Sequence, residues 1–525
     1  MSLDTSKLPD SPDELKGIID QMQQKYESEI DLLREQIAHL YNKLFGRKSE
    51  KARYQDESPQ LPLFDMPEPD PDTEEEEVVE VPSHTRKKKG RKPLPANLPR
   101  VEVVHDIDPE EKICPCGADL ARIGEEVSEK LDIIPAVIQV IRHIRPKYSC
   151  KQCEGVEDEG STVKTAPVPP QLIPKAIASG GLMAHILTAK FADALPFYRQ
   201  ESQFARLGTD IHRATMCNWA MKVAEACTPL KNLLRSGILT GPLINIDETT
   251  VQVLKEPGSP PTSKSYMWVF RGGAPQAPLI YFHYHPKREG DVAVKFLDDY
   301  KGVVQTDGYV AYDFLDHRDG IVHLGCLAHC RRKFMEAQKA RGKNAKKQGS
   351  ADKALKFIKN LYAIEKRAKK QELTFEELLE LRQREAKPIL EKMYAWLSKK
   401  SFEVVPKSLL GKAVKYTLNQ WERLSGYVEH PEATPDNNLA ENAIRPFCVG
   451  RKNWLFSGTP EGAQASATIY SLIESAKANN LEPYKYLRFI FEKLPFAETM
   501  EDYRKLLPNK VQQSQLYDIP AASRV

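Results

Sequence analysis

Two apolar runs of this chain stop on an aspartate: Leu243-Ile-Asn-Ile-Asp247-Glu-Thr-Thr250 and Val303-Val-Gln-Thr-Asp307-Gly-Tyr309. A short apolar run bounded in this way reads as a buried strand, and a carboxylate at its end is delivered to the rim of a sheet instead of its core. Much later, Asp436-Asn-Asn-Leu-Ala-Glu441-Asn-Ala-Ile-Arg445-Pro446 follows the N-cap-rich entry Pro435-Asp436-Asn437-Asn438, which predicts a helix carrying a glutamate. Asn438, Glu441 and Arg445 fall at i, i+3 and i+7 and so share one face. Singly, each carboxylate has a plainer reading. Asp307 before Gly308 could open a turn, and Glu441 could be a solvated helix residue.

The elements around them narrow the fold. After Thr249-Thr-Val-Gln-Val-Leu254, the segments Tyr266-Met-Trp-Val-Phe270 and Leu279-Ile-Tyr-Phe-His283 read as two more strands, with the Gly272-Gly273 region expected to turn between them. Asp291 to Tyr300 reads as a helix with Val294, Phe296, Leu297 and Tyr300 inward, before the strand Gly302 to Thr306 that delivers Asp307. A last strand, Ile321 to Leu324, runs into Cys326-Leu-Ala-His329-Cys-Arg-Arg332-Lys333. Three antiparallel strands, a helix and two further strands is the order of a ribonuclease-H-like sheet. There the first and fourth strands are neighbours, which would bring Asp247 and Asp307 together.

At 525 residues the chain is too long for one core, so several units are expected. Lys plus Arg (76) barely exceed Asp plus Glu (73), so a nucleic-acid partner would be met by local patches and not by a uniformly basic surface. No leader-like start and no membrane-length apolar run is present, which predicts a cytoplasmic protein with no membrane partner.

Leu15 to Leu44 reads as a helix in which Ile18, Met22, Tyr26, Ile30, Leu33, Ile37, Leu40 and Leu44 recur at three- and four-residue steps, a coiled-coil-like seam or else an ordinary amphipathic face. Asp56 to Pro99 is a Pro-rich, disordered-type linker with a basic run, Arg86 to Pro93, in which Arg91 could meet DNA phosphates or a minor groove, or could simply be solvated. Cys114-Pro-Cys116 and Cys150-Lys-Gln-Cys153 look like two knuckles on one structural zinc with a hairpin between them; four unrelated thiols are the alternative.

Pro174 to Trp219 predicts three helices, Leu182 to Phe191, Phe197 to Leu207 and one from near Ile211, with Gly208 turning between the last two. Arg213, Thr215, Asn218 and Lys222 would project from the third, with Ala214, Cys217, Ala220 and Met221 inward. That is a helix-turn-helix reading, with plain three-helix packing equally open. Arg332 to Gly426 reads as a cation-rich helical insertion with an apolar face of Val414, Leu418, Trp421 and Leu424. Gly450-Arg451-Lys452-Asn-Trp454 to Gly458 reads as a basic, aromatic loop, and Ala463 to Ala478 as a helix with a small-residue stripe (Ala463, Ala467, Ser471). After Glu498 no signal is legible.

Asp247-Glu-Thr249, Gln305-Thr-Asp307-Gly-Tyr309, Cys326-x-Ala-His329-x-Arg-Arg332-Lys-Phe334, Asp436 to Pro446 and Gly450-Arg-Lys-Asn-Trp454 together resemble the motifs of TnpC-type DDE transposases of the insertion-sequence-sixty-six family. The resemblance covers nearly the whole chain. It implies a multidomain α+β protein in which a coiled coil (1–50), a linker (51–100), a zinc-binding domain (101–165) and a helical DNA-binding segment (166–236) precede a ribonuclease-H-like catalytic core. That core (237–331 and 427–500) is interrupted by a helical insertion (332–426) and followed by a tail (501–525). Asp247, Asp307 and Glu441 would be the catalytic triad, holding two Mg²⁺ (or Mn²⁺) for cleavage and strand transfer. His329, Arg332, Asn438, Arg445, Arg451, Lys452 and Trp454 would be auxiliary or DNA-contacting residues, beside Arg213, Asn218 and Arg91.

The implied partners are terminal inverted repeats and target DNA, a second copy at least, and room for accessory proteins of the same element; nucleoid association in a bacterium follows. Cys330 departs from the small or apolar residue expected there. It makes Cys326, His329 and Cys330 look like metal ligands, although the preferred reading has His329 and Arg332 facing the site and the thiols buried. A transposase-derived DNA-binding or regulatory protein that has lost catalysis is the other class, and a nuclease that cuts without joining a second enzyme reading.

Overall fold

The structure, a computed structural model, describes residues 138–149, 163–340 and 349–516, together with Ser11, Lys16, Met22, Gln23, Tyr26, Ile30, Leu33 and Ile37. The chain divides into residues 49–143 and the remainder. Of the smaller unit only 138–143 are described, exposed and in no helix or strand. Cys114, Cys116, Cys150, Cys153 and Arg91 lie outside the described residues. Next to the second cysteine pair, strand β1 (Lys147–Ser149) pairs antiparallel with β2 (Val163–Thr165). Residues 138–146, part of the segment expected to form a hairpin between the pairs, carry no strand.

Met22, Tyr26, Ile30, Leu33 and Ile37 are helical, as their spacing requires, and the last four are exposed. In the main body, α1 (Gly180–Phe191), α2 (Phe197–Arg206) and α3 (Arg213–Ala226) fall close to the predicted spans. Gly208 sits at φ +82° between the last two, in the left-handed region that glycine enters without steric cost. The inward face of α3 differs from the expected one: Met216, Trp219, Ala220, Val223 and Ala224 are buried, while Ala214, Cys217 and Met221 are exposed. Spacing of three and four residues from Trp219 decides this, because the indole is the largest apolar mass on the helix. A further helix, α4 (Thr228–Leu239), leads into the sheet.

That sheet has the order β5-β4-β3-β6-β7, built from β3 (Leu243–Gln252), β4 (Lys264–Ala274), β5 (Ala277–His285), β6 (Gly302–Gln305) and β7 (Ile321–Leu324). β3 pairs antiparallel with β4 and parallel with β6, so the first and fourth strands are neighbours, as the sequence predicted. The connection between β5 and β6 carries α5 (Asp291–Leu297), on which Val292, Ala293, Phe296 and Leu297 are buried but Val294 is exposed.

The glycine pair is not the turn. Gly272 and Gly273 lie inside β4, and the hairpin closes after Ala274, which faces Ala277. Packing explains Gly272, where a Cβ would stand 2.9 Å from the Leu243 carbonyl, and Gly241, where one would stand 2.4 Å from the Gly273 carbonyl, while Gly273 itself sits at φ +87°, in the region that favours glycine. The two backbones approach too closely for any side chain.

Between β7 and Asn438 the described chain is mostly helical: α6 (Leu327–Ala340), α7 (Ser350–Lys370), α8 (Phe375–Leu381), α9 (Lys387–Ser401), α10 (Leu409–Asn419) and α11 (Trp421–Ser425). These helices share a hydrophobic cluster of their own, which includes Phe334, Ile358, Leu361, Leu390 and Val414. Arg382, almost fully buried, is paired with Glu365 and donates to the carbonyls of Tyr427, His430 and Ala433 at 2.9 to 3.0 Å. It thereby fixes the chain just before it re-enters the sheet domain.

Helix α12 (Asn438–Trp454) runs through Pro446 and includes Gly450 to Trp454, which the sequence placed in a loop. A proline inside a helix leaves the carbonyl four residues earlier without a donor. That residue is Asn442, on the exposed side, where water can replace it. The helix stops instead at Leu455, at φ +68°.

Helix α13 (Pro460–Ala478) lies along the free edge of β5. Its small-residue stripe has a specific use. The Ser471 hydroxyl accepts from the Phe282 amide at 2.7 Å and Ser475 accepts from the Ile280 amide at 2.8 Å. Gln464 and Asn479 donate to the carbonyls of Tyr284 (3.1 Å) and Pro278 (2.8 Å). Side chains of one helix thus satisfy alternate residues of an edge strand. After α14 (Pro483–Lys493), the short α15 (Met500–Lys505) is followed by Leu506, Leu507, Val511 and Leu516, all buried in the main core, where the sequence carried no legible signal.

Candidate functional site

The β3–β6 ladder pairs Leu243 with Val303, Ile244 with Val304 and Asn245 with Gln305. Continued two residues past its last pair, the same register would bring Asp307 opposite Asp247, and the Asp307 charge raises the Asp247 carboxyl. Both carboxylates bond locally: Asp247 Oδ1 accepts from the Glu248 amide at 2.8 Å, and Asp307 Oδ1 from the Tyr309 amide at 2.9 Å. A Cβ on Gly308 would lie 2.5 Å from the Tyr416 hydroxyl, so that ring would have to shift for a larger residue to follow Asp307.

Glu441 stands in the first turn of α12. Its placement depends on a buried amide cluster that ties three distant segments together. Asn245 Nδ2 donates to Gln305 Oε1 (3.0 Å) and to Asn437 Oδ1 (3.1 Å), and Asn437 Nδ2 donates to the Ile246 carbonyl (2.8 Å). Gln305 Nε2 reaches the carbonyls of Thr434 (2.7 Å) and Gly325 (3.1 Å). At its far end, α12 is fastened to the same strand by Arg451, whose Nη1 donates to Thr249 (3.0 Å) and Thr250 (3.2 Å). Every amide group of the cluster except Asn245 Oδ1, which is buried without a partner, is hydrogen-bonded, and these bonds hold the helix on the strand. Asn245, Gln305 and Asn437 escaped the sequence reading of the site; a polar residue inside the apolar run of β3 was the available signal.

Electrostatics support the convergence. Burial, and next the adjoining Glu248 carboxylate, hold the Asp247 carboxyl well above the usual range, and Asp307 and Glu441 push in the same direction. Glu248 itself is raised by burial, against the opposing pull of Tyr312 and Arg288, which both bond it. Arg288 also lies 3.5 Å over the Tyr309 ring, pinning the turn after Asp307. Glu248 is therefore a structural anchor beside the aspartate.

On the other side of Glu441, His329 Nδ1 lies 3.8 Å from Glu441 Oε1. Both atoms are buried without a hydrogen-bond partner. Burial and Arg332 lower the His329 pKa, while Glu441 and Asp307 oppose this. Arg332, Asn438 and Arg445 are exposed around this opening. Cys326 and Cys330 are buried. Cys330 faces Thr417 at 3.0 Å. Cys326 Sγ, His329 and Glu441, by contrast, offer donor atoms all within 4.8 Å of one another.

The other expected contact residues are spread more widely. Lys452 is exposed, and Trp454 is half-buried with its ring 5.4 Å from Phe447. Arg213 and Asn218 are exposed on α3. Among the described residues no helix is long and apolar enough to cross a membrane.

Comparison with known proteins supplies the context. Residues 175–465, which hold all three carboxylates, match the family model described as "Transposase IS66 family". Residues 32–103 match "Transposase C of IS166 homeodomain", 111–154 "zinc-finger binding domain of transposase IS66", and 471–509 "IS66 C-terminal element". The uncharacterized protein y4jD of Sinorhizobium fredii is 33% identical over 430 residues, covering 79% of this chain and 81% of its own length. The uncharacterized protein y4qI of the same organism is 29% identical over 435 residues, 81% and 78% respectively. With four models of one family matched in order along the sequence, the largest spanning more than half of it, the chain belongs to the IS66 transposase family.

Proposed function

We propose that the protein is a DNA transposase that binds the terminal inverted repeats of an insertion sequence and catalyses phosphodiester cleavage and strand transfer, with Asp247, Asp307 and Glu441 as its catalytic carboxylates in a ribonuclease-H-like core. The observation that carries this is the parallel register of β3 on β6, whose continuation would bring the two aspartates together, with the amide cluster holding the start of α12 against the same strand.

The donor set suits hard divalent cations. Three half-buried carboxylates stand near one another, and an oxygen of Glu441 has no partner in the protein. Asp247, Asp307 and Glu441 would hold Mg²⁺ or Mn²⁺, which would supply activation of the attacking oxygen and stabilisation of the leaving one. The protein's own contribution is positional. Asn437 and Arg451 clamp α12 at both ends, so Glu441 cannot drift from Asp247. Arg332, Asn438 and Arg445, exposed around the opening, orient phosphate or strand ends. Cys114, Cys116, Cys150 and Cys153 hold a structural zinc in the segment matching the zinc-finger model, and α3 with Arg213 and Asn218 offers a DNA-facing helix.

The test is metal-dependent nicking and joining on DNA that carries the element's terminal repeats. Asp247→Ala and Glu441→Gln should each abolish both products while leaving repeat binding intact. Undiminished cleavage in either variant would overturn the assignment. Repeat binding without cleavage in the unaltered protein would instead favour a regulatory descendant of a transposase, and cleavage without joining a nuclease.

A further inference from the structure

We propose that Cys326, His329 and Glu441 form a second cation site, selective for a borderline-soft divalent ion of the zinc class, which shares Glu441 with the carboxylate rim. The three donor atoms lie within 4.8 Å of one another, a span that a single tetrahedral ion can bridge by drawing each ligand in to its bonding distance. The two aspartates are not part of this group.

The ligand chemistry separates the two centres. Thiolate and imidazole favour zinc, cobalt and their neighbours over magnesium, which prefers oxygen. His329 Nδ1 and Glu441 Oε1 are buried, face each other at 3.8 Å and have no hydrogen-bond partner; an ion at the carboxylate rim would account for the glutamate oxygen but not for the histidine nitrogen. An unpaired buried polar atom is costly, and a bound cation would satisfy both together. The Asn437 amide donates to Cys326 Sγ at 3.2 Å, a contact that a metal-bound thiolate would keep; burial pushes the pKa of the free thiol up to about 12, so a bound ion would have to displace its proton. Capping of α6 by Cys326 would explain the sulfur contacts but not the two orphaned atoms. Nδ1 and Oε1 are themselves buried, while the His329 and Glu441 side chains are each about a quarter exposed (27% and 25%), so solvent stands beside the site.

A cation held here draws on Glu441, so it competes with the carboxylate rim for that side chain. This consequence rests on the transposase reading; the site itself does not.

Cobalt is the probe, because thiolate ligation gives it a near-ultraviolet charge-transfer band that needs no DNA. Full-length protein purified with its tightly held zinc is titrated with Co²⁺. One additional equivalent with the charge-transfer band is expected. Cys326→Ser should lose the band, and His329→Ala should weaken binding at least about tenfold. Asp247→Asn should keep the band, which separates this site from the proposed catalytic centre. No band in the unaltered protein, a band surviving in Cys326→Ser, or its loss in Asp247→Asn would each overturn the proposal. Should Cys326→Ser fail to fold, unchanged affinity in His329→Ala, at a partly exposed position, is equally fatal to it.

Discussion

Asp247 is an expensive residue for a protein without metal. Its carboxylate is buried and shares its surroundings with Glu248, Asp307 and Glu441. Desolvation and like charge act in the same direction, so the apo fold tolerates it at a cost. Asp247→Asn should therefore melt a few degrees higher than the unaltered protein in the absence of divalent cations, about 2–4 °C for each kcal/mol relieved, while losing strand cleavage. Calorimetry in chelator checks it, and an unchanged or lower transition would show that the crowding is not destabilising.

His283 on β5 gives a second expectation at this scale. Burial, then Lys231 and His285, lower its pKa from 6.5 to about 4. Between those values the unfolded chain binds a proton that the folded one refuses, so stability should fall as pH drops through that window. His283→Gln should flatten this part of the stability profile, as urea unfolding at several pH values would reveal.

Among the elements, α13 is the most informative. Ser471 and Ser475 satisfy amides of β5 that no neighbouring strand reaches. Ser471→Ala and Ser475→Ala should each cost about 1–3 kcal/mol in urea unfolding, because a buried N–H is left unpaired. Ser466→Ala is the control: its hydroxyl bonds only the Gly462 carbonyl of its own helix, and its loss should cost under about 1 kcal/mol. Equal effects at all three positions would refute the role given to the stripe.

The stripe was visible in the sequence, but its partner was not, since nothing in Ala463, Ala467 and Ser471 names the strand they meet. The same limit explains the other differences. That the first and fourth strands are neighbours was legible because the order of strands and helix is that of a ribonuclease-H-like sheet. Gly272 was misread because a glycine needed for close backbone approach looks the same as one needed for a turn. The inward face of α3 turned on Trp219, a single large side chain, while Asn437 acquires its role only through Asn245, 192 residues away.

For the whole molecule, the proposed transposase activity requires two DNA ends to be brought together. Leu33 and Ile37 are exposed on the N-terminal helix at 52% and 66%. Leu33→Glu with Ile37→Glu should shift the sedimenting species toward monomer, because charge on a seam opposes its pairing. An unchanged mass would place self-association elsewhere.

The covered edge of β5 bears on the same question. A sheet normally grows by accepting a strand from another chain at an open edge. Here the entire run from Pro278 to Tyr284 is already occupied by side chains of α13. An incoming strand would have to peel away a helix buried along its length. This side of the sheet is thus closed to strand exchange and to fibre-like stacking, and a synaptic pair of these proteins would have to meet through surfaces other than this one.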